Sequence, residues 1–238
     1  MHELIIAMSK KYPPAGQDVI FDGLAEKFAR KIYRSKKGEL RLALLWEDLQ
    51  QHIPILAQAP PLHVLDAGGG LGQMSMRLAD QGHKVVLCEP STDMLTIARE
   101  LIAGGTVASH TITLESCVLQ ALPHRYSEQS FDVVLCHAVL EWLAEPLPTL
   151  AQLLPLLKPG GYLSLAFYNV ESIVWKNLLK GNFRKVANRE IKGELGSLTP
   201  PHPQSAPDVL AWLQTQGLEL MNVSGIRCLS DYLHPTAN

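Results

Sequence analysis

Short apolar runs and amphipathic segments alternate along the chain from Leu62 onward, and this rhythm predicts alternating strands and helices. The apolar runs predict strands at residues 63–67, 84–89, 110–116, 131–137, 161–168 and 219–228. Apolar positions at three- and four-residue steps predict helices at residues 73–81, 91–103, 145–157, 171–180 and 207–216. Because strands separated by helices assemble into a parallel sheet covered on both faces, we predict a doubly wound α/β fold with a mostly parallel sheet.

Three regions lie outside this alternation of strands and helices, and their sequence predicts a different organisation for each. Residues 1–18 show no clear period and are predicted to form a mobile N-terminal tail. Helical periodicity within residues 19–60 predicts N-terminal helices, which belong with the sheet to one domain over residues 19–238. The segment 170–206 is longer than an ordinary connection, so we predict a substrate-side insertion there.

A glycine-rich loop follows the first predicted strand. Asp66 lies near the end of the apolar run, and glycines follow at positions 68, 69, 70 and 72. Glycines let the backbone approach a ligand closely, but their spacing here does not meet the G-x-G-x-x-G dinucleotide fingerprint. The next apolar run ends in Glu89, about 20 residues further on, where an acid in a doubly wound fold accepts hydrogen bonds from ribose hydroxyls.

Composition narrows the class of function without specifying it. The 238 residues are 47% hydrophobic and 18% charged with a formal net charge of −2, which fits a globular protein without bulk affinity for polyanions. The cysteines lack zinc spacing and no apolar run reaches membrane-spanning length, so we predict no metal, no membrane and a cytoplasmic location. The most basic window, residues 176–192, fits either a nucleic-acid contact or a solvated surface.

The residue types needed for acid–base or nucleophilic catalysis do not form a recognisable motif. The chain has no G-x-S-x-G elbow, no H-E-x-x-H and no Walker loop. His137 and Tyr168 lie at the ends of the fourth and fifth predicted strands, at the carboxyl edge where open α/β sheets bind ligands. His137 suits a cofactor or substrate contact, and a helix-capping or core histidine fits the same position. Arg41, in the N-terminal helices, suits a carboxylate contact or a plain surface charge.

Several motifs together resemble one family. The pattern from Asp66 to Gly72 resembles the first motif of class I S-adenosylmethionine-dependent methyltransferases, a Rossmann-like superfamily. Flanking motifs are similar to those of the tRNA 5-carboxymethoxyuridine methyltransferase family, at residues 21–33, 37–41, 45–46, 64–73, 137–142, 167–169, 181–183 and 231–233. The resemblance runs nearly without interruption over residues 19–233.

The resemblance implies a reaction and a set of cofactor contacts. Members of the family transfer a methyl group from S-adenosylmethionine to the carboxylate of 5-carboxymethoxyuridine at the tRNA wobble position, which gives a methyl ester. The cofactor contacts that it implies are Arg41, Asp66, Gly68, Gly69, Gly70, Glu89, Cys117, Val118 and His137. The family usually has Asp where this chain has Glu89, whose longer arm changes the geometry of the ribose contact.

The substrate side is predicted from the chemistry of its ligand. A carboxylate is already ionised at neutral pH, so it needs donors that hold it in place and no general base. We therefore predict no catalytic residue, and Tyr33 and Tyr168 are the candidates for positioning. Aromatic and basic residues receive a splayed, single-stranded anticodon loop. The predicted RNA contacts are Lys176, Lys180, Arg184 and Lys185.

The sequence departs from the family pattern at one place, and two other functions fit the same motifs. Family members continue past Asp231-Tyr232-Leu233, whereas this chain stops at Asn238, so the antiparallel seventh strand of a class I sheet is expected to be missing. A class I methyltransferase for a small-molecule acid or quinone precursor fits the same glycine loop. So does a non-catalytic protein that binds the cofactor or RNA. The tRNA species and the oligomeric state have no signal in the sequence.

Overall fold

Five parallel strands form the centre of the protein, for which a computed structural model describes residues 16–33, 35–58, 61–105, 111–190 and 198–226. The strands are β1 (His63–Ala67), β2 (Lys84–Cys88), β3 (Ile112–Glu115), β4 (Phe131–His137) and β5 (Leu157–Ala166). Their order in the sheet is β3-β2-β1-β4-β5, and every pairing is parallel. Because the strand order reverses between β1 and β4, a crevice opens there at the carboxyl edge of the sheet.

Helices precede the sheet and connect its strands. They are α1 (Ala25–Phe28), α2 (Lys36–His52), α3 (Ile55–Gln58), α4 (Gln73–Asp80), α5 (Thr92–Gly104), α6 (Pro146–Leu153), α7 (Val170–Leu179), α8 (Phe183–Ala187) and α9 (Ala206–Thr215). A π-helical turn, Ala29–Tyr33, follows α1 directly. Ser35 begins α2 as its N-cap, because its hydroxyl accepts a hydrogen bond from the Gly38 amide at 3.1 Å.

The two faces of the sheet bury separate apolar layers. Successive side chains of a strand point to opposite faces, so Val64 packs into one layer and Leu65 into the other. The Val64 layer contains residues of α2, α4 and α5, including Leu49, Leu78 and Leu95. The Leu65 layer contains α6 and the segment before β4, with Leu122, Leu150 and Leu153. Coverage of both faces is what a parallel sheet requires.

The doubly wound α/β prediction is confirmed, and most predicted elements coincide with observed ones. The strands predicted at 63–67 and 131–137 match β1 and β4 residue for residue. β5 begins earlier than predicted, because Leu157 already pairs with Phe131 of β4, and Lys158–Gly161 form a register irregularity before Tyr162 pairs with Val133. The helix predicted at 145–157 ends at Leu153, and a short 3₁₀ turn containing Pro155 follows it. Proline lacks the amide hydrogen that would continue the α-helix.

The strand predicted at 219–228 is wrong over the described residues 219–226, which form no strand. This segment is held at α2, where the side-chain amide of Asn222 and the hydroxyl of Ser224 donate to Asp48 Oδ1 at 3.0 and 2.6 Å. Its apolar side chains, Leu220, Met221 and Val223, are all more than half exposed. Within the described ranges no antiparallel strand pairs with β5, whose far edge ends the sheet.

The N-terminal segment folds over the carboxyl edge of the sheet and is fixed there by contacts distant in sequence. Phe21 packs edge-on against Trp142, with ring centroids 4.7 Å apart. Asp18 accepts hydrogen bonds from the Ala144 amide at 2.8 Å and from the Gln120 side chain at 2.9 Å. Residues 1–15 of the predicted tail lie outside the described ranges. Asp18, the last residue of that predicted tail, is held by the two hydrogen bonds given above.

Gly38→Ala tests how closely α2 approaches the preceding turn. A methyl group at Gly38 would collide with the Ile32 carbonyl and approach Tyr33 Cα to 3.2 Å, so the turn that carries Tyr33 must move. We expect the variant to lose about 1–3 kcal/mol of unfolding free energy in urea titrations, as overpacked sites do. Gly104→Ala is the matched control, because Gly104 also lies in a helix and a methyl group there meets nothing within 4 Å. Equal stability of the two variants would contradict the close approach.

Candidate cofactor and substrate site

The glycine loop between β1 and α4 forms the floor of the crevice. The Gly68 and Gly69 amides both donate to the Cys88 carbonyl at the end of β2, at 2.8 and 3.1 Å. A side chain at Gly69 would collide with the Asp66 carboxyl group, and Gly72 adopts a left-handed φ of +79° as it begins α4. Glycine is therefore required here by close packing as well as by backbone conformation.

Asp66 fastens the loop to the helix that follows it. Its Oδ2 accepts the Ser75 hydroxyl at 2.6 Å, and both groups are buried. Burial raises the pKa of Asp66 to about 6, and the hydrogen bonds from Ser75 partly oppose that rise. Asp66 also lines the cavity, so one residue joins the turn, α4 and the ligand space.

Glu89 performs the corresponding role at the end of β2. Its Oε2 accepts the Gly70 amide at 3.1 Å, and its Oε1 accepts the Ser91 amide at 2.9 Å. The side chain is 6% exposed, and burial raises its pKa to about 7, against the lowering effect of those two amides. The Ser91 hydroxyl caps α5 and donates to Asp22 at 2.8 Å, which links this acid to the N-terminal segment.

Arg41 and Tyr33 cover the crevice from the N-terminal helices. The guanidinium of Arg41 lies 5.7 Å from the centre of the Tyr33 ring, within cation–π distance. Both residues line the same cavity as the glycine loop. Burial raises the pKa of Tyr33, and the charge of Arg41 works against that rise. The pair therefore presents a fixed cation and a neutral phenol to the ligand space.

His137 ends β4 as a neutral imidazole. Its Nε2 lies 2.8 Å from the Ser164 hydroxyl of the neighbouring β5. Burial lowers the pKa of His137 to about 4, and the nearby charge of Arg41 lowers it further. At neutral pH the ring thus carries one donor and one acceptor nitrogen and no charge.

Glu141 is a buried acid that the sequence interpretation did not single out as a site residue. It is 2% exposed, and its Oε2 has no hydrogen-bond partner among the described residues. Burial raises the pKa of Glu141 to about 7, while the Tyr168 amide and the charge of Arg41 oppose the rise. The Glu141 carbonyl accepts the His202 amide at 3.1 Å, so the segment before α9 closes over this residue.

The structure brings most of the predicted cofactor residues into one cavity. Its walls include Tyr33, Arg41, Asp66, Gly68, Gly69, Gly70, Glu89, His137 and Tyr168. Cys117 and Val118 do not line this cavity: Cys117 is buried with its carbonyl 3.2 Å from the Cys88 sulfur, and Val118 is 38% exposed. Of the predicted RNA contacts only Lys176 reaches the cavity wall, and Lys180, Arg184 and Lys185 lie beyond it.

Three residues of the site were not identified from the sequence. Ser75 and Ser164 are ordinary serines whose roles appear only once α4 meets β1 and β5 pairs with β4. Glu141 lies four residues after His137, and that proximity to a strand end is the signal that could have identified it. Among the described residues no group of three or more His, Cys, Asp or Glu side chains could hold a metal ion. No helix in the same ranges is both long enough and apolar enough to cross a membrane.

Comparison with known proteins places this site in a family. Residues 65–165 match the family model described as a methyltransferase domain. The chain is 39% identical over 219 residues to the tRNA 5-carboxymethoxyuridine methyltransferase of Escherichia coli, covering 91% of this chain and 82% of that protein. It is 30% identical over 174 residues to a ubiquinone biosynthesis O-methyltransferase of Xanthomonas campestris, covering 70% and 66%.

Solved structures show the same fold at low sequence identity. A putative S-adenosylmethionine-dependent methyltransferase of Methanococcus maripaludis aligns with a TM-score of 0.55 at 16% identity, covering 86% of this chain and 88% of that one. The [4+2]-cyclase SpnF aligns with a TM-score of 0.57 at 20% identity, covering 76% and 58%. Since one of these neighbours is a cyclase, the fold alone does not specify a reaction, and the sequence relationship decides the assignment. The chain belongs to the tRNA 5-carboxymethoxyuridine methyltransferase family and is an S-adenosylmethionine-dependent methyltransferase.

Proposed function

We propose that the protein methylates the carboxylate of 5-carboxymethoxyuridine at the wobble position of tRNA, giving the methyl ester, in the cytoplasm. The observation that carries the proposal is the extent of the relationship to the Escherichia coli enzyme. The methyltransferase domain model matches only residues 65–165, whereas that relative aligns over 91% of the chain. The similarity therefore extends beyond the part that the methyltransferase superfamily shares.

The residues at the crevice fit S-adenosylmethionine. When bound, it supplies an electrophilic methyl group on a sulfonium, together with ribose hydroxyls, an amino group and a carboxylate. Gln73 and Glu141 line the cavity, and each has a buried side-chain oxygen without a partner among the described residues, which suits a ligand with several donors. Glu89 would accept the ribose hydroxyls and Arg41 would hold the carboxylate.

The substrate carboxylate requires alignment and exclusion of water, and it has no proton to lose at neutral pH. Tyr33 and Tyr168 both line the cavity and are the candidates for positioning it. His137 is neutral, so it contributes hydrogen bonds and does not act as a charged acid. No side chain is assigned the role of a general base.

The basic side chains of α7 and α8 are proposed to contact the RNA backbone. Lys176 lies at the cavity wall, and Lys180, Arg184 and Lys185 extend the positive surface away from it. Residues 171–190 include five basic and two acidic side chains, whereas the net charge of the whole chain is −2. A local positive surface that leads from the crevice suits a polyanion whose one modified base must enter it.

The similarity to a ubiquinone biosynthesis O-methyltransferase favours a second candidate, a methyltransferase for a small-molecule acid or quinone precursor. That similarity covers 70% of this chain, compared with 91% for the tRNA enzyme. A hydroxyl acceptor would need a base to remove its proton, and the neutral His137 would have to provide it.

Transfer of a labelled methyl group tests the proposed reaction directly. Purified protein is incubated with labelled S-adenosylmethionine and tRNA that contains 5-carboxymethoxyuridine, and the nucleosides are analysed by mass spectrometry. We expect label in a methyl ester that mild alkali removes. The control is tRNA that carries unmodified uridine at the wobble position, which has no carboxylate to accept the group. Label that resists alkali, or activity only with small acids or phenols, would reject the proposal.

Gly70→Ala tests whether the glycine loop binds the cofactor. A methyl group at Gly70 meets only Tyr33 Oη at 3.6 Å and Met94 Sδ at 3.8 Å, so it projects into the cavity without a clash. We expect cofactor affinity in calorimetry to fall about tenfold or more, equivalent to ~1.4 kcal/mol.

Gly82→Ala is the control for the backbone strain that accompanies this change. Gly70 and Gly82 both have a left-handed φ, of +58° and +90°, so alanine costs about 1–2 kcal/mol of stability at either position. A methyl group at Gly82 meets nothing within 4 Å, and Gly82 does not line the cavity. Cofactor affinity should therefore stay normal in Gly82→Ala, and equal affinities in the two variants would place the cofactor elsewhere.

The pH dependence distinguishes positioning from base catalysis. With the pKa of His137 at about 4 and an ionised substrate, kcat should be flat from about pH 6 to about pH 9. Cofactor affinity should rise as pH increases through about 7, because Glu89 becomes the stronger, ionised acceptor there. Glu89→Gln should bind more weakly and show a smaller dependence, and the part that remains would come from Glu141, whose pKa is also about 7. A kcat that requires a deprotonated group near about pH 9 would indicate a hydroxyl or amine acceptor.

A further inference from the structure

The outer surface of α7 and α8 carries large apolar side chains in contact with solvent. Trp175 is 52% exposed, Leu179 55% and Phe183 65%, and these three residues are hereafter the stacking face. Trp175 and Leu179 are four residues apart on α7, so they are neighbours on one side of the helix. Phe183 begins α8, which contacts α7, and exposed apolar groups of this size on adjoining helices mark a binding surface more often than chance placement.

The helices that carry this face are anchored from the other side. Ile173 is 5% exposed and packs α7 to the body of the protein, and Asn169 caps the N-terminus of α7 because its Oδ1 accepts a hydrogen bond from the Glu171 amide at 3.0 Å. The bend to α8 is fixed by Asn182, whose amide and side chain bond to Asn177 at 2.9 and 3.0 Å. The exposed rings therefore lie on a held scaffold, which lowers the entropy lost on binding.

Basic side chains alternate with the apolar ones along the same helices. Lys176 and Lys180 each follow a residue of the stacking face directly, and Arg184 and Lys185 follow Phe183. Aromatic rings beside cations are the combination that binds single-stranded nucleic acid, since bases stack on the rings and phosphates pair with the cations. Lysine is depleted at interfaces between folded proteins, so lysines interleaved with these rings favour a nucleic-acid partner.

Helix α7, which carries Trp175 and Leu179, also contributes to the wall of the proposed active site. Asn169, Ser172 and Lys176 line the cavity, and Trp175 is the residue before Lys176 on the same helix. A base that enters the cavity must leave its own stack, and the bases beside it lose a stacking partner at the same time. An exposed ring on the helix that forms the cavity wall is suited to replace that partner.

We propose that Trp175 and Phe183 form a platform on which unpaired bases next to the modified uridine stack when the anticodon loop binds. This inference rests on the proposed function, because it assigns a surface to the same RNA substrate. Stacking supplies affinity that depends weakly on salt, and the neighbouring lysines and arginines supply the affinity that depends on salt.

Binding of an anticodon stem-loop to Trp175→Ala, Phe183→Ala and the double variant tests the platform. Each lost stack should raise the Kd about 5- to 150-fold, with an unchanged slope of log Kd against log salt. Lys176→Ala with Lys180→Ala should instead change that slope by about 0.7 for each contact. Trp175→Phe should retain most of the affinity, because its ring still stacks.

Two measurements separate this inference from general damage and from the proposed reaction. Leu101→Ala removes an apolar side chain of 38% exposure from α5, and it should bind the stem-loop like the parent protein. The affinity of the Trp175 and Phe183 variants for S-adenosylmethionine should also match that of the parent. If the parent protein methylates tRNA and the double variant binds and methylates it equally well, the platform is wrong and the reaction stands.

The remaining outcomes also decide between partners. If the parent protein neither binds nor methylates tRNA, the proposed function fails and the platform fails with it. If the double variant keeps its RNA affinity and loses binding to vesicles of anionic phospholipid, the face is a membrane contact. Loss of self-association in sedimentation, again with RNA affinity unchanged, would identify a second copy of the chain as the partner.

Discussion

Two buried carboxyl groups hold the glycine loop in the shape on which the rest of the site depends. Asp66 accepts a hydrogen bond from the Ser75 hydroxyl of α4. Glu89 accepts hydrogen bonds from the Gly70 amide of the loop and from the Ser91 amide at the start of α5. Both acids are withdrawn from water, which raises the pKa of each. The hydrogen bonds that shape the loop thus use the carboxyl groups that face the ligand space, so cofactor binding and local structure are not independent.

The fold was predictable because its signals are local. The apolar runs that became β1 and β4 have the length and composition of buried strands, and the acid and glycines between β1 and α4 dictate a tight turn. A strand was wrongly predicted at residues 219–226 because an apolar run does not specify which strand or helix it will pack against. Two hydrogen bonds to Asp48, on a helix about 170 residues earlier, hold that run in a position that no local pattern encodes.

The site was predictable only where a residue follows a strand or belongs to a motif. His137 and Glu89 were found because parallel strands end at a common edge. Ser164 was missed because its role requires the register of β4 against β5, and Glu141 because burial and an unpaired oxygen are properties of the folded chain. Arg41 was predicted as a cofactor contact only from the family resemblance. Its position in the N-terminal helices does not distinguish it from any surface arginine.

The contacts of the N-terminal segment also restrict the order in which parts of the chain can dock during folding. Asp18 bonds to Ala144, a separation of 126 residues, and Phe21 packs on Trp142. During synthesis this segment leaves the ribosome before the sheet, yet its binding surface is complete only after β4 has emerged. Closure of so long a loop is entropically costly and gains contacts late. The N-terminal segment therefore cannot dock over the crevice until β4 and residues 142–144 have been synthesised.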